Sequence, residues 1–312
     1  MQNTTILKYG QRVLAIVLFG ISVFYVIEAI RRNQQSINPD IFFSIIPQVL
    51  IAALLWAGAL FILALGWARL MLWKHRLQTD DLICIYGLTN IAKYLPGNIF
   101  HFAARQAAAR TLDISQKTAA AATSVEIVSL IVAAMIIGCL SLVLFADPEI
   151  LANNLTLVFD ANRYPLALAI SIAVLAVTGV VLWRSQLARN ISKQLSEKLL
   201  IHLAHTIVFF LIVAATTVLL ATGLGVTFGQ SLLIAGAFQV AWSIGFVLPG
   251  ASAGLGVREA AFIFVVGMVS DLPEHMAIQI ALSMRVINIF GDLINAGICF
   301  YLRARKAPAN AP

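Results

Sequence analysis

Two arginines in this chain stand at the same distance behind the same tripeptide. Leu95-Pro96-Gly97 is followed by Arg105 and Leu248-Pro249-Gly250 by Arg258, nine positions after each proline; Gln106 or Glu259 comes next, then two alanines. Further on, Arg285, Asn288 and Asp292 are spaced i, i+3, i+7 and share one face of a helix. A guanidinium offers paired donors that match phosphate and keeps its charge when desolvated. The set predicts a polar cavity in which Arg105, Arg258 and Arg285 hold an anion. Glu126, Glu259 and Asp292 balance them when the site is empty, and any one of the three is available to carry a coupled proton. The same residues would equally serve as static ion pairs, Arg105 or Arg285 with Glu126 and Arg258 with Asp292, fastening helices together. His101, one turn before Arg105, either joins the cavity or packs.

The elements that must position these groups are apolar. Hydrophobic residues make up 61% of the 312 and charged ones 11%, against roughly 45–50% and about 25% in an ordinary soluble domain. This is the composition of an integral membrane protein. Stretches of about 20 apolar residues, enough to cross a hydrocarbon core, fall at 13–30, 44–68, 124–146, 164–183, 200–222 and 277–301 and predict six crossings. An ionisable group inside such a segment costs at least about 2.5 kcal/mol on insertion scales, so it faces a partner or a wet cavity. The stripe from Arg285 to Asp292 must therefore point inward.

Two further apolar blocks, 83–110 and 231–270, are interrupted by the Leu-Pro-Gly segments. Proline removes a backbone donor and clashes one turn back, and glycine loosens the chain beside it. Pro96-Gly97 and Pro249-Gly250 are read as the tips of hairpins that enter the membrane and return. Loop charge supports this. With hairpins, the two termini and the loops at 74–82, 110–117 and 184–199 share one side and carry thirteen Lys and Arg, against Arg31, Arg32 and Arg163 opposite. Such a split is a strong positive-inside bias, with both termini cytoplasmic. Trp67, Trp73, Trp183 and Tyr301 then fall at cytoplasmic helix ends, where amphipathic rings settle. Three crossings separate the hairpins, so the second enters from the opposite face. The fold class expected is an all-α polytopic membrane protein forming one domain over 1–312. It holds an inverted repeat, 80–146 and 231–302, whose alignment sets Glu126 opposite Arg285.

A helix restarts after each break, with Asn98 or Ser252 available as its cap, and its free N–H groups and positive dipole end face the membrane interior. Broken helices aiming N-termini at an anionic substrate near the midplane are a transporter device. Small residues in "GASAGLGVREAAF" allow close helix approach. Its Gly-Leu-Gly lacks the spacing and the βαβ setting of a dinucleotide site. Cys84, Cys139 and Cys299 are far apart, and His202 with His205 has no evident third ligand, so neither a disulfide framework nor a metal or other cofactor is expected. Asp80-Asp81 reads as a solvated loop pair. No ATP-hydrolysing or nucleophile motif occurs, no catalytic residue is assigned, and the net charge of +7 is explained by membrane orientation rather than by nucleic acid.

The segments "NIAKYLPGNIFHFAAR" and "FVLPGASAGLGVREAAFIF" resemble the paired signatures of the lysylphosphatidylglycerol synthase transmembrane, flippase-like family, over about 40–302. The more specific part is Pro249, Gly250, Gly254, Gly256, Arg258 and Glu259. Two-part members of that family add a soluble aminoacyl transferase, for which this chain leaves no room. The resemblance implies a stand-alone lipid translocase of the inner membrane. It would move an anionic phospholipid or polyprenyl-phosphate-linked lipid between leaflets, alone or beside a lipid-modifying enzyme. The rival readings are a membrane transferase using Asp80 or Asp81, and a non-catalytic scaffold.

Overall fold

The computed structural model describes residues 43–72, 78–95, 99–147, 149–150, 193–247, 254 and 256–306, with Ile27 and Arg31. These form helices α1 (Ile46–Met71), α2 (Thr79–Asn90), α3 (Phe100–Arg110), α4 (Gln116–Phe145), α5 (Lys193–Gly223), α6 (Phe228–Val247), α7 (Val257–Val269) and α8 (Glu274–Lys306). A 3-10 turn over Ile91–Tyr94 prolongs α2, and no strand occurs among the described residues.

Five helices, α1, α4, α5 from Leu199, α6 and α8, are long and apolar enough to cross a membrane. The protein is a helical membrane protein. Four of the five match expected crossings; those expected at 13–30 and 164–183 lie outside the described residues, as do Pro96, Gly97, Pro249 and Gly250. The fifth, α6, was expected only as one arm of a hairpin. Its 20 residues reach about 30 Å, the thickness of the hydrocarbon core. By contrast α2, α3 and α7 have 12, 11 and 13 residues, about 16–20 Å each. The two interrupted blocks are thus unequal in their first arms.

The chain ends and restarts its helices where local chemistry requires. α2 tightens into the 3-10 turn and stops at Leu95, whose extended φ −72°, ψ 145° is what a following proline imposes. Pro47 sits in the first turn of α1, where its missing N–H goes unneeded. Ser115 caps α4 by accepting from the Thr118 N–H at 3.2 Å. The caps expected at Asn98 and Ser252 are displaced. Both residues lie outside the described set, and the N-cap positions belong to Ile99 and Gly256. Ile99 offers no side-chain acceptor, while Gly256 adopts φ +79°, a conformation that side chains resist. Gly254 also has a positive φ, +69°. The Gly-Leu-Gly spacing is therefore spent on a backbone turn into α7.

α1 packs on α5 and α8, α4 on α5 and α6, α7 on α6, and α2 lies across α1 and α8. Because α2 folds over the end of α1, Trp67 is fully buried, its ring 5.8 Å from that of Tyr86. Trp67 keeps its place near the end of α1, and the covering helix, invisible in the span itself, takes its ring into the core. α4 and α6 meet backbone to backbone. A Cβ on Gly138 would lie 3.1 Å from the Gly236 carbonyl oxygen, and one on Gly236 3.0 Å from that of Gly138. Ser141 locks the crossing by donating to the Leu232 carbonyl at 2.6 Å.

Two glycines on α8 provide an internal comparison. A Cβ on Gly291 would come within 2.5 Å of Trp56 Cδ1 and 2.9 Å of the Ala53 carbonyl oxygen, whereas one on Gly297 meets nothing within 4 Å. Gly291→Ala is expected to destabilise by about 1–3 kcal/mol through overpacking. Gly297→Ala is expected to stabilise by about 0.5–1 kcal/mol through helix propensity. Unfolding midpoints of the two variants in one detergent, at one scan rate, should move in opposite directions.

Candidate anion site

The chemistry-bearing residues converge between α2, α3, α4, α6, α7 and α8 on a cavity of about 80 Å³. Arg105, His101, Glu126, Arg258 and Arg285 all line it, as does Asn288. Glu259 and Asp292 stand immediately behind as ion-pair partners of lining residues. Arginines from both interrupted blocks therefore share one space. The inward stripe on α8 is observed, with Asn288 and Asp292 buried and Arg285 on the cavity wall.

Three ionic groups differ in how tightly they are closed. The first is a clamp. Arg105 Nη1 donates to both oxygens of Glu126 at 2.6 Å, and Tyr86 donates its phenolic proton to Glu126 Oε1 at 2.7 Å. The Arg105 guanidinium lies 3.7 Å from the centre of the Tyr86 ring and is flanked by Phe102 at 5.5 Å and Trp67 at 5.8 Å. Arg105 and Glu126 are each 1% exposed, so the pair holds α3 to α4 in a dry, aromatic surround that strengthens it.

The second group surrounds Asp292. It takes Lys93 Nζ at 2.7 Å, Asn90 Nδ2 at 3.2 Å, Trp56 Nε1 at 3.3 Å and a short hydrogen bond from the Tyr94 hydroxyl. One carboxylate on α8 thereby gathers α1, α2 and the 3-10 turn. Pairing Arg258 with Asp292 was one expectation; the observed partner is Lys93. The reason is reach, because the 3-10 turn places Lys93 and Tyr94 over Asp292, while Arg258 has Glu259 as its neighbour in the first turn of α7.

The third group is the loosest. Glu259 Oε2 accepts the Gly256 N–H at 2.7 Å, so it caps α7 from within the first turn. Its other oxygen, Oε1, lies 3.4 Å from Arg258 Nη2 and 3.6 Å from Arg285 Nη1. Those separations exceed the roughly 2.7–2.9 Å of a direct charge-assisted hydrogen bond. Arg258 also stands 5.5 Å from the Phe238 ring. Arg285, set opposite Glu126 by the repeat alignment, shares Glu259 with Arg258 instead.

Polar groups without partners complete the site. Both amide atoms of Asn288 and the Nδ1 of His101 have no hydrogen-bond partner among the described residues, although Asn288 is 3% exposed and His101 5%. Buried polar atoms left open are uncommon and call for a ligand or water. His101 thus joins the cavity wall rather than packing away from it.

Sequence reasoning assigned no role to Tyr86, Asn90, Lys93 or Trp56. Tyr86, Asn90 and Lys93 are spaced i, i+4, i+7, the same kind of stripe that exposed Arg285, Asn288 and Asp292, and that spacing would have found them. Asp80 and Asp81, expected in a solvated loop, form the first turn of α2. There carboxylates favour the positive helix end, and Lys306 Nζ reaches them at 3.5 and 3.2 Å. They line no part of the cavity. His202 is fully buried on α5. Among the described residues no group of three or more His, Cys, Asp or Glu is placed to hold a metal.

No family model and no curated protein matches this chain.

Proposed function

We propose that the protein is a lipid translocase of the inner membrane, with cytoplasmic termini. It moves an anionic phospholipid or a polyprenyl-phosphate-linked lipid between leaflets, as members of the flippase-like family that its Leu-Pro-Gly motifs resemble would do. The observation that carries this reading is the charge of the cavity wall. Four cations, Lys93, Arg105, Arg258 and Arg285, face three carboxylates, Glu126, Glu259 and Asp292, among membrane-embedded helices. Among the described residues, with histidine counted as neutral, one positive charge remains over. In a low-dielectric setting that surplus favours an anion.

The interrupted blocks act as hairpins of an inverted repeat. Broken helices of this kind aim their ends at a polar site within the membrane, and α2, α3 and α7 are short enough, at 11 to 13 residues, to serve as such arms. The head group enters this cavity while the acyl or prenyl tails stay in lipid. A transferase using Asp80 or Asp81 draws no support from the arrangement, since both carboxylates are engaged by Lys306 away from the cavity.

The test is translocation in liposomes, read with head-group-labelled lipids and an impermeant quencher. Vesicles containing the protein should flip anionic lipids faster than empty vesicles and leave choline lipids unaffected. Arg258→Gln should slow the anionic lipids by about tenfold, one tight charge-assisted contact. No acceleration for any anionic lipid would sink the proposal.

A further inference from the structure

The three ionic groups do not contribute alike to an anion site, and the difference lies in what each carboxylate would lose on releasing its cation. Glu126 would lose both 2.6 Å contacts to Arg105 in a pocket that is 1% exposed. Asp292 would lose Lys93, the one cation among its four partners. Glu259 divides its two oxygens between different tasks. Oε2 holds the Gly256 N–H at 2.7 Å, and only Oε1 faces the arginines, at 3.4 and 3.6 Å. Glu259 can therefore release Arg258 and Arg285 while remaining bonded to the start of α7.

Asn288 gives an independent reason to look at the same place. It lies one helical turn from Arg285 on α8, is 3% exposed, lines the cavity, and has its amide donor and acceptor both open among the described residues. A ligand that satisfies it needs an acceptor and a donor next to its charge.

We propose that Arg258, Arg285 and Asn288 form an anion subsite in which Glu259 Oε1 is the resident occupant, and that its ligand is a phosphodiester carrying a single negative charge. The wall's surplus of one positive charge sets the ligand charge. A phosphodiester neutralises it, whereas a phosphomonoester at pH 8 would leave one buried negative charge uncompensated. Two non-ester oxygens can each take one guanidinium, an ester oxygen can accept from Asn288 Nδ2, and a head-group hydroxyl can donate to Asn288 Oδ1. Arg105 is not a ligand of this subsite. It is a positioning residue, holding α3 against α4. The phosphodiester could belong to a lipid or to a soluble ester, and the inference rests on the translocase reading only for naming a lipid as its source.

The purified full-length protein, in micelles at pH 8, would be titrated calorimetrically with three probes. They are dihexanoyl phosphatidylglycerol, dihexanoyl phosphatidic acid and tail-less glycerophosphoglycerol. Wild type should bind the phosphodiester lipid about tenfold tighter than the phosphomonoester. Arg258→Gln and Arg285→Gln should each weaken it by about tenfold or more. Glu259→Gln retains an acceptor for the Gly256 N–H and raises the surplus to two positive charges, so it should reverse the preference in favour of the phosphomonoester. Unchanged affinity in both arginine variants, or a preference that Glu259→Gln does not shift, overturns the subsite. Liposome translocation measured in parallel separates the two claims. Binding without translocation, or glycerophosphoglycerol binding as tightly as the lipid, overturns the translocase and leaves the subsite standing. Translocation indifferent to Arg258 and Arg285 does the reverse.

Discussion

Arg105→Ala should be among the most damaging substitutions in the protein, lowering stability by about 3–5 kcal/mol, as expected when one member of a buried ion pair is deleted. The loss exceeds that of a single contact because Glu126 would be left as an anion at 1% exposure, with only the Tyr86 hydroxyl bonded to it among the described residues. The paired change Arg105→Met with Glu126→Leu should recover most of that loss, since an apolar pair of similar size needs no desolvation of charge. Tyr86→Phe should cost less, about 1–3 kcal/mol, by removing one hydrogen bond to a charged group. Unfolding midpoints in a single detergent at fixed scan rate would rank the variants. A double variant no better than Arg105→Ala would show that the pair is more than a fastener. Had Arg105 been the principal grip on substrate, its removal would weaken binding and leave stability nearly intact.

The second large effect is expected at Asp292. Asp292→Ala strips four donors on α1, α2 and the 3-10 turn of their common acceptor and leaves the Lys93 ammonium without that partner. A destabilisation of about 3–5 kcal/mol follows. Asp292→Asn should fall between wild type and alanine, because the amide oxygen still accepts while the charge is lost. Binding should move the other way. With one fewer carboxylate the wall carries a surplus of two positive charges, so an anion is held more tightly in the variant that unfolds more easily. Parallel melting and calorimetric titration would check this; affinity and stability falling together would count against the assigned charge balance.

How much could be read before the fold was known divides along a physical line. Apolar length identified four of the five long helices, since hydrophobic burial depends on composition alone. Spacing on a single helix found the stripe of Arg285, Asn288 and Asp292, because helical periodicity is local. Pairing was legible only in part: Arg105 with Glu126 was one of the expected alternatives and is observed, whereas Arg258 with Asp292 is not. Arg258 meets Glu259, its neighbour in sequence, while Asp292 is taken by Lys93 and Tyr94 of the 3-10 turn, a placement that depends on how α2 lies against α8. The burial of Trp67 was hidden for a similar reason, as nothing in α1 announces that α2 will cover it. Asn98 and Ser252 are good capping residues by type, but the N-cap positions of α3 and α7 belong to Ile99 and Gly256.

The contact between Gly138 and Gly236 has a mechanical meaning. Glu126 lies twelve residues from Gly138 along α4, about 18 Å away at 1.5 Å per residue, and Gly245 lies nine residues from Gly236 along α6, about 13 Å away. Gly245 borders the same cavity and touches the Arg258 backbone closely enough that a Cβ there would lie 3.3 Å from the Arg258 Cα. In any rocking of the two helices the glycine crossing would be the fulcrum, with α4 and α6 as lever arms carrying walls of the cavity. A change of about 5° in their angle would shift Glu126 relative to α6 by about 1.5 Å over that arm, comparable to the difference between a direct hydrogen bond and a broken one. Such a motion would adjust the space around the arginines from a contact of two glycines that carries no charge.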